Sequence, residues 1–456
     1  MTRIERDTLG EIAVPDDALY GAQTQRAVEN YPVSGLREHP IFIRAFILIK
    51  KAAALANREL GALDEKRARA IIAACDELLN DEKKYRSQFV VDVFQAGAGT
   101  SFNMNVNEVI ATLANRSLGE RVVHPNDHVN MAQSTNDVVP TAIRVSALML
   151  LTHLWPGLES LADAFDDRGK AFADVIKSGR THLQDAVPVT LGQEFKAYAA
   201  AVRRSTRLLR DAAAELKALG IGGTAAGTGM NAPKGYRFLV VKRISELTGL
   251  EFTSIDDLRE GMQSQLPVAA VSGALRNFAL EMTRISNDLR LLASGPQTGL
   301  AEIILPAVQP GSSIMPGKVN PSMLECMNQL LFHVIGADTA IAFAVQAGQL
   351  ELNVMMPLMA FELLFSIEIL KNYLPVLVDK CIRGIEADRA RCEAYYIRSP
   401  SLATALNPII GYARAAEIAK ESAKSGTPIP QLLREKKLLS EEEIARIFTP
   451  EFLTGE

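Results

Sequence analysis

Five Ala/Leu-rich runs with little glycine or proline occupy residues 141–175, 189–219, 258–294, 322–347 and 350–380, and they confine this chain to helical architectures. In the fourth run, Leu324, Met327, Leu331 and Val334 recur at spacings of three and four, which traces one face of a helix. Helices of roughly 30 residues are about 45 Å long, more than a small globule needs. Several runs are apolar on more than one face, so the pattern predicts a homo-oligomeric bundle in which other copies cover what one chain leaves bare. Strand signals are thin and confined to the N-terminal region around residues 10–14; Pro15, Asp16 and Asp17 then predict a turn or helix start. Toward the other end, Ser440 followed by Glu441, Glu442 and Glu443 fits a capping box before a short helix. With SGTP at 425–428 just upstream, it predicts a small terminal domain of short helices.

Composition narrows the class. A chain of 456 residues exceeds one ordinary core, so two or three domains are expected. A hydrophobic share of 48% is that of a globular protein, and a formal net charge of −4 argues against a nucleic-acid surface, which needs a basic stripe. Cys75, Cys326, Cys381 and Cys392 lack CxxC spacing, so they read as buried free thiols in a reducing compartment rather than a disulfide or zinc framework. The first seven residues alternate charges and have no apolar core, so no signal peptide is expected. The most apolar stretch, 352–370, is interrupted by Asn353, Glu362 and Glu368, which suits a buried bundle helix better than a membrane span. A cytoplasmic protein without membrane attachment is the expectation.

Four polar islands break the apolar pattern: 97–108 (GAGTSFNMNVNE), 124–137 (HPNDHVNMAQSTND), 179–194 (GRTHLQDAVPVTLGQE) and 311–321 (GSSIMPGKVNP). Each flanks a long helical run, and bundles build sites where helix ends meet. In the last island two small hydroxyls, Ser312 and Ser313, follow a glycine, so backbone can approach a ligand closely. Lys318 and Asn320 supply a cation and an amide suited to a carboxylate, and Pro321 suits the first turn of the next helix. His182, between Thr181 and Gln184, has two readings: donor to a substrate carboxylate, or proton relay through a water. His124 and His128 are spaced like a metal pair, but Pro125 and Asn126 interrupt a continuous helix, and no metal site is expected. The glycine-rich 220–229 segment (GIGGTAAGTG) lacks the lysine of a phosphate loop and reads as a tight turn permitting close chain approach. No Gly-x-Ser-x-Gly elbow occurs, which disfavours a serine hydrolase.

The GSSIMPGKVNP segment resembles the signature loop of the fumarase/aspartase superfamily, and the other islands resemble its remaining signature regions in the same order. The resemblance implies a mainly α, three-domain subunit (1–139, 140–390 and 391–456) with a long central helix bundle. It further implies a homotetramer whose active sites are each assembled from three subunits. Within the superfamily the aspartase branch looks nearer than the fumarase branch, on Thr100-Ser101, on Thr135 within QSTND, on Asn328-Gln329 and on 349–354 (QLELNV). Met356, where aspartases carry an acid, and 262–267 (MQSQLP) depart from that pattern and leave room for another substituted succinate.

What the resemblance implies chemically is removal of a proton beside one carboxylate of a small dicarboxylate, aspartate or fumarate in the reverse sense, followed by loss of the amine, or of hydroxide, from the neighbouring carbon. Ser312 carries over as general base, with Ser313 beside it, and no cofactor is implied. Lys318 and Asn320 would hold one carboxylate. Thr100, Ser101, Ser134, Thr135 and Asn136 would bind the other carboxylate and the amine. Thr181 and His182 would come from a neighbouring subunit, and Glu325 matches an acid that pairs with this histidine in fumarases. A second anion site of fumarases maps onto Arg121, His124, Asn126 and Asp127. Rival expectations are a class II fumarase and, more remotely, a non-catalytic protein on the same scaffold.

Overall fold

All five apolar runs are helices in the computed structural model, which describes residues 1–455. They are Thr135–Ala171, Leu191–Ala214, Leu266–Leu292, Ser322–Gln346 and Met356–Lys380. The third and fifth begin later than the sequence pattern suggests, for local reasons. Ser264 is extended (ψ 124°) after the short Glu260–Gln263 helix and breaks the run. Before the fifth, Leu350 has φ +51°, and the Asn353 side chain accepts from the Met355 N–H at 2.9 Å, as a capping residue does.

The chain divides into two compact units, and the division runs through each of the five long helices. The first unit comprises 1–155, 207–277 and 332–370. It opens with an antiparallel hairpin of β1 (Thr2–Asp7) and β2 (Gly10–Pro15). Helix Pro40–Glu59 follows; His39 caps it by accepting from the Ile41 N–H, and Pro40 occupies the first turn, where its missing donor costs nothing. Helix Glu65–Asn80 is capped by Asp64, and helix Thr100–Leu118 stops at Gly119, whose φ of +71° suits a left-handed terminus. Phe42, Phe46 and Phe102 meet edge-on or stacked, with centroids 5.0–5.8 Å apart, and lie in the core. Truncating such a ring to alanine costs about 3–5 kcal/mol.

The second unit comprises 156–206, 278–331 and 371–456. Its own aromatic core joins Phe165, Phe172, Phe195 and Tyr198. Strands are not confined to the N-terminus: a second hairpin pairs β3 (Ile176–Thr181) with β4 (Gln184–Thr190). Glycine in β3, proline in β4 and charge in both hide the alternation that marks a strand. The C-terminal stretch is a set of short helices around Leu402, Leu406, Ile418, Leu432, Leu433 and Ile447. The capping box at Ser440 forms as expected, and helix Glu441–Ile447 follows it.

Candidate active site

In the second unit, the 311–321 loop is closed by its own backbone. The Gly311 N–H donates to the Lys318 carbonyl at 2.7 Å, and Asn320 Nδ2 donates to the Gly311 carbonyl at 2.6 Å. A side chain at 311 would meet Asn320 N and Lys318 O at 2.6 Å, so only glycine permits this closure. The Asn320 amide is therefore partly committed to the loop. Within the ring, Ser312 Oγ accepts from the backbone N–H groups of Ile314 at 3.2 Å and Met315 at 3.0 Å. Donors aimed at a hydroxyl oxygen stabilise its ionised form more than its neutral form, which is what a serine base requires. Ser313 and Lys318 are exposed, and Glu325 lies in the first turn of helix Ser322–Gln346.

His182 and Leu183 form the two-residue turn of the β3–β4 hairpin, with φ of +56° and +59°. Such turns ordinarily use Asn-Gly, so a histidine there is a strained choice held in place by its surroundings. The base of the hairpin supplies the hold. Arg180 Nη1 reaches both carboxylate oxygens of buried Glu302 at 2.9 and 3.0 Å, and buried Lys177 bridges Glu194 at 2.7 Å and Glu302 at 3.2 Å. Burial pushes the Glu194 carboxyl above its ordinary range, against the pull of Lys177. Gly179 sits at the bulge, where a side chain would strike the Val187 carbonyl at 2.5 Å. Thr181 and His182 are exposed at the tip. Among the described residues, no hydrogen bond or ion pair of this chain joins His182 to Glu325 or Ser312, so the histidine–acid relay is not formed within one copy.

In the first unit, Thr100 begins helix Thr100–Leu118 after Ala98 (φ +62°) and Gly99 (φ +84°) turn the chain. Gln95 accepts from the Phe102 N–H at 2.9 Å and donates to buried Glu38 at 3.0 Å. Burial, with Asp92 nearby, raises the Glu38 carboxyl to about 8. Ser101 is buried beside Thr100 in the same turn. Ser134, Thr135 and Asn136 are half-buried and clamped by Asp137, whose carboxylate accepts from the N–H groups of Ser134 (2.8 Å), Gly222 (3.0 Å) and Thr224 (2.9 Å). Asn136 Nδ2 donates to the Ala225 carbonyl at 2.8 Å. The glycine-rich segment is thus the close-approach turn its composition predicts; Gly222 (φ +96°) has no room for a side chain beside Arg237, 2.6 Å away.

Buried polar groups that the sequence pattern does not single out lie beneath these helix ends. Lys50, Asn103, Asn107 and Asp137 are all buried, and a cation in the apolar face of Pro40–Glu59 was the signal available. Burial lowers the Lys50 ammonium and raises the Asp137 carboxyl, each shift opposed by the other group's charge. Asn328, read as a discriminating residue, is buried and donates to Asn287 at 2.9 Å. Arg121, His124 and Asn126 line a cavity of about 700 Å³; Asp127 does not. The Nδ1 atoms of His124 and His128 accept backbone N–H groups, as local caps do.

The family described as Lyase matches residues 10–336, and the Fumarase C C-terminus family matches 402–455. The aspartate ammonia-lyase of Helicobacter pylori (strain J99) is 48% identical over 98% of this chain and 97% of its own. The class II fumarate hydratase of Halobacterium salinarum is 49% identical over 99% of this chain and 97% of its own. Among solved structures, the fumarate lyase:delta crystallin of Brucella melitensis bound to cobalt superposes with a TM-score of 0.94 at 47% identity, covering 98% of both chains.

Proposed function

The chain belongs to the fumarase/aspartase family of lyases, and within that family we propose that it is an aspartate ammonia-lyase, eliminating ammonia from aspartate to give fumarate. The observation that carries the reaction class is Ser312, whose hydroxyl oxygen accepts two backbone N–H groups inside a self-closed loop. The proton beside a carboxylate is weakly acidic, so the intermediate is an aci-carboxylate with extra negative charge, and donors placed for that charge supply the largest part of the rate. Ser312 takes the proton, and Lys318 with Asn320 neutralises the carboxylate as charge builds. Thr100, Ser101, Ser134, Thr135 and Asn136 bind the second carboxylate and the amine, with Thr181 and His182 completing the site from another copy. The homotetramer, the division at 139 and 390, and a cytoplasmic setting belong to the same proposal.

Ammonia rather than water as the leaving group is supported by Thr100-Ser101 and Thr135, which follow the aspartase pattern. A fumarase is the second reading, favoured by the fumarate hydratase relative at 49% identity beside aspartases at 48%. Incubating the protein with fumarate, with and without ammonia, separates them. Aspartate formed only with ammonia supports the proposal; malate formed from fumarate alone overturns it in favour of the second reading.

A further inference from the structure

Lys50 is fully buried in helix Pro40–Glu59, and its ammonium meets three amide oxygens: Asn103 Oδ1 at 2.8 Å, Asn130 Oδ1 at 2.9 Å and Gln133 Oε1 at 3.0 Å. An ammonium can only donate, so the Asn103 atom facing it has to be the carbonyl oxygen, and this settles which way round the amide lies. The other end, Nδ2, then faces Thr135 Oγ1 at 3.2 Å and Asn130 Oδ1 at 3.3 Å. An amide nitrogen also only donates. Thr135 Oγ1 therefore accepts from Asn103, and the proton on its own hydroxyl is left for something else. Thr135 opens helix Thr135–Ala171 and is half-buried, so it remains accessible to a ligand.

We propose that Lys50 is a positioning residue: through Asn103 it fixes the Thr135 hydroxyl as a donor toward a carboxylate of the bound dicarboxylate. This rests on Thr135 being a substrate ligand, as under Proposed function. A neutral side chain at 50 could fill the space, but it could not dictate the order of donors and acceptors along the chain of contacts from Lys50 to Asn103 to Thr135. Burying an ammonium is unfavourable, and three amide oxygens together with the charge of Asp137 oppose that penalty. The fixed donor order is what the buried charge adds beyond packing.

The test is a cycle of Asn103→Asp and Thr135→Val, read as the dissociation constant for fumarate by calorimetry, with thermal unfolding alongside. Fumarate is common to both readings of the leaving group, so the result does not depend on that choice. Aspartate at 103 keeps an acceptor for Lys50 but puts an oxygen opposite Thr135, which then gives its proton inward. Fumarate binding is expected to weaken about 10- to 100-fold, the loss of a hydrogen bond to a charged group. The midpoint of unfolding should shift little, because Lys50 gains a counter-ion while Asn130 Oδ1 loses the Asn103 donor. In the Thr135→Val background, Asn103→Asp should add no further weakening. Equal weakening in both backgrounds would mean simple charge repulsion and would overturn the proposal, as would unchanged binding in Asn103→Asp while Thr135→Val weakens it. If Thr135→Val itself leaves binding unchanged, the ligand assignment falls and the proposal with it. Should Asn103→Asp fail to fold, Lys50→Met in the same cycle gives the same readout: weaker binding beside Thr135, no change beside valine.

Discussion

The Ser134–Thr135–Asn136 segment and the 311–321 loop carry two groups of proposed ligands, and they are held in contrasting ways. The first rests on buried polar groups: Asp137 takes three backbone N–H bonds around it, and Lys50 orders the amides below. The second is held by its own backbone, through Gly311, Lys318 and Asn320, and presents Ser313 and Lys318 to solvent. His182 combines the two: buried Lys177 and Glu302 anchor the base of its hairpin, and its tip is exposed and strained. A donor that must point one way is fixed from beneath, at the expense of buried charge. The loop and the hairpin tip are left open to solvent. Substitutions in the loop should therefore change chemistry with little effect on stability, whereas substitutions beneath the helix ends should change both.

The largest effect is expected at Ser312. Ser312→Ala should lower kcat by roughly 10²–10⁴-fold, the usual contribution of a positioned base, with thermal unfolding nearly unchanged because the loop closes through other atoms. Turnover near that of the wild type would shift the base to Ser313 or His182 and remove the loop's half of the contrast. Next, Lys318→Ala should raise KM about tenfold or more while the stability change stays within about 0.5 kcal/mol, as for other exposed side chains. An unchanged KM would exclude Lys318 from the carboxylate site.

The smallest effect belongs to the buried side. The Glu38 carboxyl is raised from 4.5 to about 8 in the folded chain, so folding binds its proton more tightly than the unfolded state does. The stability this confers is fully present below pH 4.5 and is lost as pH rises through 8. Glu38→Gln should flatten that decline by at least about 1 kcal/mol, the equivalent of roughly one pKa unit, in unfolding measured from pH 5 to 8.5. An identical slope in wild type and variant would show that Glu38 is not a buried neutral acid.

The long helices were legible because their apolar repeats persist over many turns, and the Ser312 loop because glycine, proline and hydroxyl residues crowd into a few positions. The β3–β4 hairpin was not legible. Its strands carry Gly179 at a bulge and Pro188 within β4, and its turn uses His182-Leu183 instead of residues that favour positive φ. Lys50 was visible as a residue but not as a partner: its role depends on amides at 103, 130 and 133, brought together only by folding.

The leaving group is tested most directly by comparing kcat/KM for aspartate and malate on one preparation, followed by the absorbance of fumarate. An aspartate ammonia-lyase should favour aspartate by at least about 100-fold, as a site built around the amine rejects its hydroxyl counterpart. Fumarate released as readily from malate as from aspartate would contradict the account.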